Sequence, residues 1–291
     1  MTRSPTDPTP ATPLPWTDQV ADEPAPAGDI VERLRAAGCV FAEDEARLLV
    51  ANAGSPSELA DLVDRRVAGF PLEHILGWAE FCGRRISVAP GVFVPRRRTE
   101  FLVRTAIEAA TGIRQRSETQ AEPLRIVDLC CGSGAIGAVL ADALAPVELY
   151  AADVDPAATR CARRNLDGIG TVVEGDLFDP LPDNLRGVVD LLVVNAPYVP
   201  TDEIELMPPE ARLHEAGVAL NGGGDGLDVH RRVAGAALSW LRPGGELLIE
   251  TSERQAPTAI ELFTGNGLAA RAVSDELLDA TVVVGVKPET S

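Results

Sequence analysis

From Leu124 onward, short apolar runs alternate with helix-forming stretches, and this alternation restricts the fold more than any other feature of the chain. The runs are "LRIVDL", "VELYAADV", "GTVVEGDL", "VDLLVVN" and "GGELLIET", separated by segments such as "SGAIGAVLADAL" and "PAATRCARRNL". A near-continuous apolar run marks a strand covered on both faces, which calls for helices on both sides of a mainly parallel, doubly wound sheet. The end of the chain breaks the pattern. There "LAARAVSDELLDATVVVGVK" reads as two strands joined directly, an antiparallel hairpin added at the sheet edge. No internal repeat is visible.

The first part of the chain has a different texture. Residues 1–28 are rich in Pro, Thr, Ala and Asp and read as a disordered leader. Residues 29–76 read as a small helical domain in which "DIVERLRAAG", "AEDEARLLVANAG" and "SPSELADLVDRRVAG" carry start and stop signals. "LGWAEFCGRRISVAPGVFVP" alternates, and residues 77–97 read as a β-hairpin connector turning at "APG". Residues 98–291 form the sheet domain, entered through the amphipathic helix "RTEFLVRTAIEAATG" and an exposed polar connector, "IRQRSETQAEP".

Charge and cysteines narrow the setting. The 291 residues include 44 acidic and 26 basic ones, a net charge of −18. Non-specific affinity for nucleic acid comes from a basic surface that releases counterions, and this field opposes it. The start of the chain lacks the apolar core of a secretory signal, and no apolar run reaches the length of a membrane span. Five cysteines (39, 82, 130, 131, 161), an odd number without metal-like spacing, fit reduced thiols in a cytoplasmic setting. His74, His214 and His230 are scattered and read as structural or surface residues, so no metal site is expected.

In "LRIVDLCCGSGAIG" a strand leads through Gly132, Gly134 and Gly137 into a helix, as in dinucleotide-binding loops. That motif alone also fits a nicotinamide enzyme. The carboxylates favour another ligand. Asp128 precedes the loop, where it would crowd a pyrophosphate but suit the cationic amino-acid end of S-adenosylmethionine (SAM). Asp153 ends the next strand, where a carboxylate can accept ribose hydroxyls, and Asp176 in "EGDL" ends the one after, near an adenine amine. Each alone fits a helix cap or a solvated turn. Together they line one crevice at the carboxyl edge of a sheet.

"VVNAPYVP" closes the following strand. An amide or exocyclic amine has a delocalised lone pair and is a poor nucleophile. A site that methylates it must accept hydrogen bonds from the NH2 group and aim the lone pair at the donor methyl. Asn195 and the Ala196 carbonyl offer those acceptors, Pro197 stiffens the turn, and Tyr198 offers a flat face for stacking. The expected catalytic effects are positioning and electrostatic preorganisation, without a covalent intermediate.

Over residues 30–289 the chain resembles the release-factor glutamine methyltransferases (PrmC/HemK-like). The resemblance rests on "PLEHILGWAEFCGRRISVAPGVFVPRRRTEFLV", "VDLCCGSGAIG", "AADVDPAA", "EGDLFDPL", "NAPYVP", "ALNGGGDGLD" and "LRPGGELLIETSERQA". It implies a class I SAM-dependent methyltransferase: an α/β, doubly wound, seven-stranded, mainly parallel sheet with an antiparallel edge hairpin, plus a small helical N-terminal domain that helps dock a protein substrate. The resemblance assigns SAM binding to Asp128, Cys130, Gly132, Gly134, Asp153, Val154, Asp176, Leu177 and Asn195. It assigns catalysis to Asn195, Pro197 and Tyr198, and substrate contacts to these, Ala196 and Arg96. The implied partner is a protein carrying an exposed glutamine, a release factor or another.

Three departures stand out. The family usually reads Asn-Pro-Pro-Tyr, where this chain has Ala196. It usually reads Pro-Arg-Pro-Glu/Asp-Thr-Glu, where this chain has Arg97 and Arg98, which with Arg84, Arg85 and Arg96 are expected to form a basic cluster. Cys130 replaces the loop's first glycine, a change expected to be mild if its φ is negative. A methyltransferase for an exocyclic amine of DNA or RNA and a SAM-binding protein without catalysis remain the alternatives.

Overall fold

The computed structural model describes residues 28–116 and 122–289. The leader read over residues 1–28 therefore lies, apart from Gly28, outside the described residues. The chain forms two compact units, residues 1–68 and 69–291.

The first unit holds α1 (Gly28–Ala36), α2 (Ala42–Asn52) and α3 (Pro56–Val67). The Ser55 side chain accepts the Glu58 N–H and Pro56 opens α3, a cap that stabilises such a helix by about 1 kcal/mol. Leu34, Ala46, Leu49 and Val63 are buried in this unit. Glu45 is buried as well, and Arg66 meets its carboxylate through two nitrogens at 2.6 and 3.2 Å.

In the second unit α4 (Leu72–Leu76) precedes β1 (Trp78–Phe81) and β2 (Arg84–Ser87). The buried His74 ring bonds the Val92 carbonyl at 2.8 Å, which ties α4 to the segment after the hairpin. The hairpin turns at Cys82-Gly83, not at "APG": Phe81 pairs with Arg84, and both turn residues have positive φ, 49° and 71°. A two-residue turn with left-handed residues matches the twist of the strands, and a cysteine at its first position hides the signal. The Arg97–Thr99 turn leads into α5 (Glu100–Arg116), so helix occupies the first residues of the expected polar connector and residues 117–121 of it lie outside the described residues.

Then follow β3 (Leu124–Leu129), α6 (Ala135–Leu144), β4 (Val147–Asp153), α7 (Pro156–Asn165), β5 (Thr171–Glu174) and β6 (Val189–Val194). The chain continues through α8 (Pro209–His214), α9 (Asp228–Trp240), β7 (Leu241–Thr251), α10 (Ala256–Gly265), β8 (Ala269–Asp275) and β9 (Ala280–Val286). The seven strands run in the order β5-β4-β3-β6-β7-β9-β8. Pairing is parallel from β5 to β7 and antiparallel at β7-β9-β8, the edge hairpin expected from the sequence. Strand β7 starts at Leu241, ahead of "GGELLIET", and a register shift against β6 absorbs the extra residues.

Both faces of the sheet are covered. Ile126, Ala151, Val193 and Leu248 pack with α5 and α6 on one face; Val127, Ala152, Val194 and Ile249 pack with α9 and α10 on the other. Each of the Val, Leu and Ile side chains among these contributes about 1.5–3 kcal/mol on burial. Asp190, buried within β6, is satisfied by the Arg125 N–H at 2.8 Å and by the Arg242 guanidinium. The order reverses between β3 and β6, and a ligand site in such a sheet sits at that switch point, beyond the carboxyl ends of the strands. No helix among the described residues is long and apolar enough to cross a membrane.

Candidate active site

A deep cleft opens at that switch point. Cys130, Gly132, Asp153, Val154, Asp176 and Leu177 line one side; Asn195, Ala196, Pro197 and Tyr198 line the other, together with Arg96, Arg98, Thr99 and Glu250. All the residues assigned from the sequence face this cleft except Gly134 and Asp128. Gly134 sits at the N-cap of α6, against α7.

Asp128 is fully buried beneath the glycine loop. Strand alternation puts it on the same face as Ile126, toward α6, so its carboxylate lies under the helix and not in the cleft wall. Its Oδ2 accepts the Gly137 N–H at 3.0 Å, one of the donors that a helix start leaves free. A Cβ on Gly137 would sit 3.2 Å from that oxygen, a tight approach that the third glycine of the loop avoids. Oδ1 has no partner. Burial pushes the Asp128 carboxyl up to about 7, with the Gly137 bond opposing and Asp153 adding to the rise.

Asp153 closes β4. Its Oδ2 accepts from Gly132 N and its Oδ1 from Asp155 N, both at 2.9 Å. Each oxygen keeps a lone pair for a further donor. Asp176 is exposed and paired with Arg232 at 2.6 Å. Cys130 departs from its expectation: its φ is +55°, the left-handed region that glycine occupies freely and other residues at about 1–2 kcal/mol. The loop backbone demands this, with the Cys131 N–H on the Ala152 carbonyl at 3.1 Å and the Gly134 N–H on the Cys131 carbonyl at 2.7 Å. Burial and the nearby aspartates raise both thiols far above their usual range, so they stay protonated and are not nucleophiles.

The opposite wall is a hydrogen-bonded chain. Asn195 Nδ2 donates to Thr99 Oγ1 at 3.4 Å, and no bond among the described residues engages Asn195 Oδ1. The Tyr198 hydroxyl donates to Glu250 Oε1 at 3.0 Å, and Arg98 Nε lies 3.4 Å from the same oxygen. Glu250 is 2% exposed, and among the described residues its Oε2 has no hydrogen-bond partner. Burial raises its carboxyl; hydrogen bonding from Thr99, the Arg98 charge and the Tyr198 hydroxyl oppose this. Burial, then the Glu250 charge, raises the Tyr198 phenol, so it remains a donor. Beneath Glu250, His230 donates to its backbone carbonyl at 3.2 Å; burial lowers this imidazole to about 4 and keeps it neutral.

The backbone of the Asn195–Tyr198 loop is clamped from behind. Gln255 Nε2 donates to the carbonyls of Tyr198 and Asp225 at 3.0 and 2.9 Å. Val199 bridges to Asn221, and the Gly222 N–H meets the Val199 carbonyl at 2.9 Å. Gly226, at φ +79°, comes so close that a Cβ would stand 2.3 Å from the Tyr198 oxygen. The "ALNGGGDGLD" stretch is therefore the mould for the loop.

The arginines do not form one cluster. Arg84 bonds the Ala138 carbonyl and lies 3.3 Å from Asp142, Arg85 lies over Trp78, and Arg97 is exposed. Arg96 pairs with the buried Glu215 and lies over Phe93. Among the described residues no group of three His, Cys, Asp or Glu side chains is arranged to hold a metal. Sequence reasoning missed Glu250, Gln255 and Thr99. Glu250 carried a signal, since it is an acid near the end of a buried strand, like the three aspartates.

The family model for the methyltransferase small domain matches residues 110–236. The chain is 38% identical over 219 residues to the release factor glutamine methyltransferase of Geobacter sulfurreducens, an alignment spanning 73% of this chain and 72% of that one. The chain belongs to the release factor glutamine methyltransferase family. Another member of this wider group of relatives, a 4-amino-L-phenylalanine/4-methylamino-L-phenylalanine methyltransferase of Streptomyces pristinaespiralis, is 36% identical over 236 residues, covering 81% of this chain and 79% of that one. The crystal structure of a methyltransferase from Pyrococcus furiosus shares the fold, with a TM-score of 0.50 at 16% identity over 72% of this chain and 91% of that one.

As a release factor glutamine methyltransferase family member, the chain is a SAM-dependent methyltransferase. The loop side of the cleft fits that cofactor on its own terms. Asp153 in the wall and Asp128 beneath the loop give a negative environment for a cation, Asp153 keeps acceptor capacity for two hydroxyls, and Val154 and Leu177 add apolar wall.

Proposed function

We propose that this protein methylates the side-chain amide nitrogen of a glutamine in a protein substrate. The observation that carries the reading is the orientation of Asn195. With Nδ2 given to Thr99, its Oδ1 keeps its acceptor capacity, and Asn195 and Ala196 both line the cleft. Two acceptors placed there take the two N–H groups of an incoming amide, hold its nitrogen in place and draw its lone pair out of conjugation. Tyr198, fixed through Glu250 and Gln255, offers its ring as a wall for the planar group.

The donor side is assigned to Gly132, Asp153, Val154, Asp176 and Leu177 at the cleft surface, with Asp128 acting from beneath through charge. SAM supplies an electrophilic methyl group when bound. The protein residues align the acceptor nitrogen beside Tyr198 and accept hydrogen bonds from its two N–H groups, and the proton lost as the N–CH3 bond forms leaves to solvent. The buried thiols take no part, since burial holds them protonated.

Two features support a protein acceptor over nucleic acid: the net charge of −18, and the release factor named for the Geobacter relative. The S. pristinaespiralis relative supports a second reading, the aryl amine of a free amino acid. Labelled SAM added to extract from cells lacking the protein separates them. Label in a protein band, released as methylamine on hydrolysis, supports the glutamine reading; label confined to small molecules or nucleic acid overturns it.

A further inference from the structure

Arg98 is the residue of the acceptor wall that the methyl-transfer chemistry leaves without a task. It lines the cleft beside Tyr198, with its guanidinium carbon 5.5 Å from the centre of the Tyr198 ring. Its Nε faces Glu250 Oε1 at 3.4 Å, and its guanidinium also acts on the Tyr198 hydroxyl. The side chain is 44% exposed. Glu250 and Tyr198 thus hold the guanidinium from one side, and nearly half of the side chain stays accessible at the cleft.

A guanidinium in this position is poorly suited to the acceptor amide itself. A hydrogen bond to the amide oxygen would draw the nitrogen lone pair further into conjugation and slow its attack on the methyl group. An accessible guanidinium instead matches a carboxylate, the group it pairs with most strongly. Its neighbour cannot do this, because Arg96 is already committed to the buried Glu215.

We propose that Arg98 is a specificity-determining residue that selects acceptors carrying a carboxylate near the nitrogen to be methylated. The inference rests on the methyl-transfer reading of this cleft. The carboxylate has two chemical sources: an acidic side chain next to the target glutamine of a protein, or the main-chain carboxylate of a free amino acid.

The test uses the full chain with SAM and two series of acceptors. One series is glutamine peptides flanked by Asp, Gly or Lys; the other is 4-aminophenylalanine and its carboxamide. With the wild-type protein, KM for the Asp-flanked peptide should lie about fivefold below that for the Gly-flanked one, the upper end for a partly exposed ion pair. The Lys-flanked peptide should be the poorest. Arg98→Gln should level the three values while SAM affinity stays unchanged, and Arg98→Lys should retain the order in weakened form. Equal KM values in the wild type, or a preference that survives in Arg98→Gln, overturn the proposal. If no peptide is methylated but 4-aminophenylalanine is, and is favoured over its carboxamide, the glutamine reading falls and Arg98 keeps its role. If SAM binds and neither series is methylated, both fall.

Discussion

Replacing Asp128 by asparagine tests the buried carboxyl on which the glycine loop rests. Asparagine is isosteric and can still accept the Gly137 N–H, so the local geometry is retained. What changes is the charge. In the folded protein burial raises Asp128 from 3.8 to about 7. Its folded pKa lies above its unfolded one, so between these values the folded state holds the extra proton, and stability falls as pH rises through this window. At about 1.4 kcal/mol per unit, the ionised carboxyl destabilises the ligand-free fold by about 4 kcal/mol above pH 7 and about 2 kcal/mol at pH 5.5. Relative to wild type, Asp128→Asn should therefore gain about 2 kcal/mol between pH 5.5 and pH 8.5. Other raised groups, such as Glu215 and Glu250, are common to both proteins and cancel to first order. Urea unfolding at the two pH values, followed by the buried Trp240 in the sheet unit, reads the difference. Stability curves that stay parallel over this range would refute the argument and show Asp128 to be ionised throughout.

Because SAM is cationic, the same carboxyl should couple its binding to pH. Wild-type affinity should rise about tenfold from pH 6 to pH 8, following the ionised fraction, while Asp128→Asn stays flat in calorimetric titrations. Asn195→Ala should abolish methyl transfer and leave SAM affinity nearly intact; a large loss of affinity would place Asn195 on the donor side. Asp153→Ala should weaken SAM by about 1–3 kcal/mol, the scale of a lost charge-assisted bond, and an unchanged Kd would count against its assignment to the ribose. Gly226→Ala should lower kcat by at least about tenfold without changing SAM affinity, because its Cβ would displace the Tyr198 carbonyl and Gln255. Normal turnover in that variant would show that the loop needs no such mould.

The sheet was legible because its strands are buried on both faces. A run such as "VDLLVV" has one stable use in a chain of this length, and β6 spans those six residues. The cleft was legible too, since the glycine loop and the acids at successive strand ends mark a carboxyl edge. What position along a strand does not reveal is which way its last side chains point. Asp128 was read as a wall of the cleft, but alternation turns it under α6. Turn chemistry failed at the hairpin for a related reason: Pro90-Gly91 is the stronger turn signal, yet the strands close at Cys82-Gly83. The clamp on Tyr198 was invisible because Glu250 and Gln255 lie over fifty residues away and meet the loop only through the fold.

The reversal of strand order between β3 and β6 divides the labour of the cleft. Apart from Asn195, the residues assigned to the methyl donor hang on β3, β4 and β5, whereas the acceptor loop follows β6 and is braced by the 221–226 stretch and Gln255. No residue of the acceptor brace belongs to the glycine loop. Substitutions such as Ala196, Arg97 and Arg98 can therefore accumulate on one bank while the other keeps its ligand. A fold partitioned this way lets a lineage exchange one acceptor for another without relearning how to hold the methyl group.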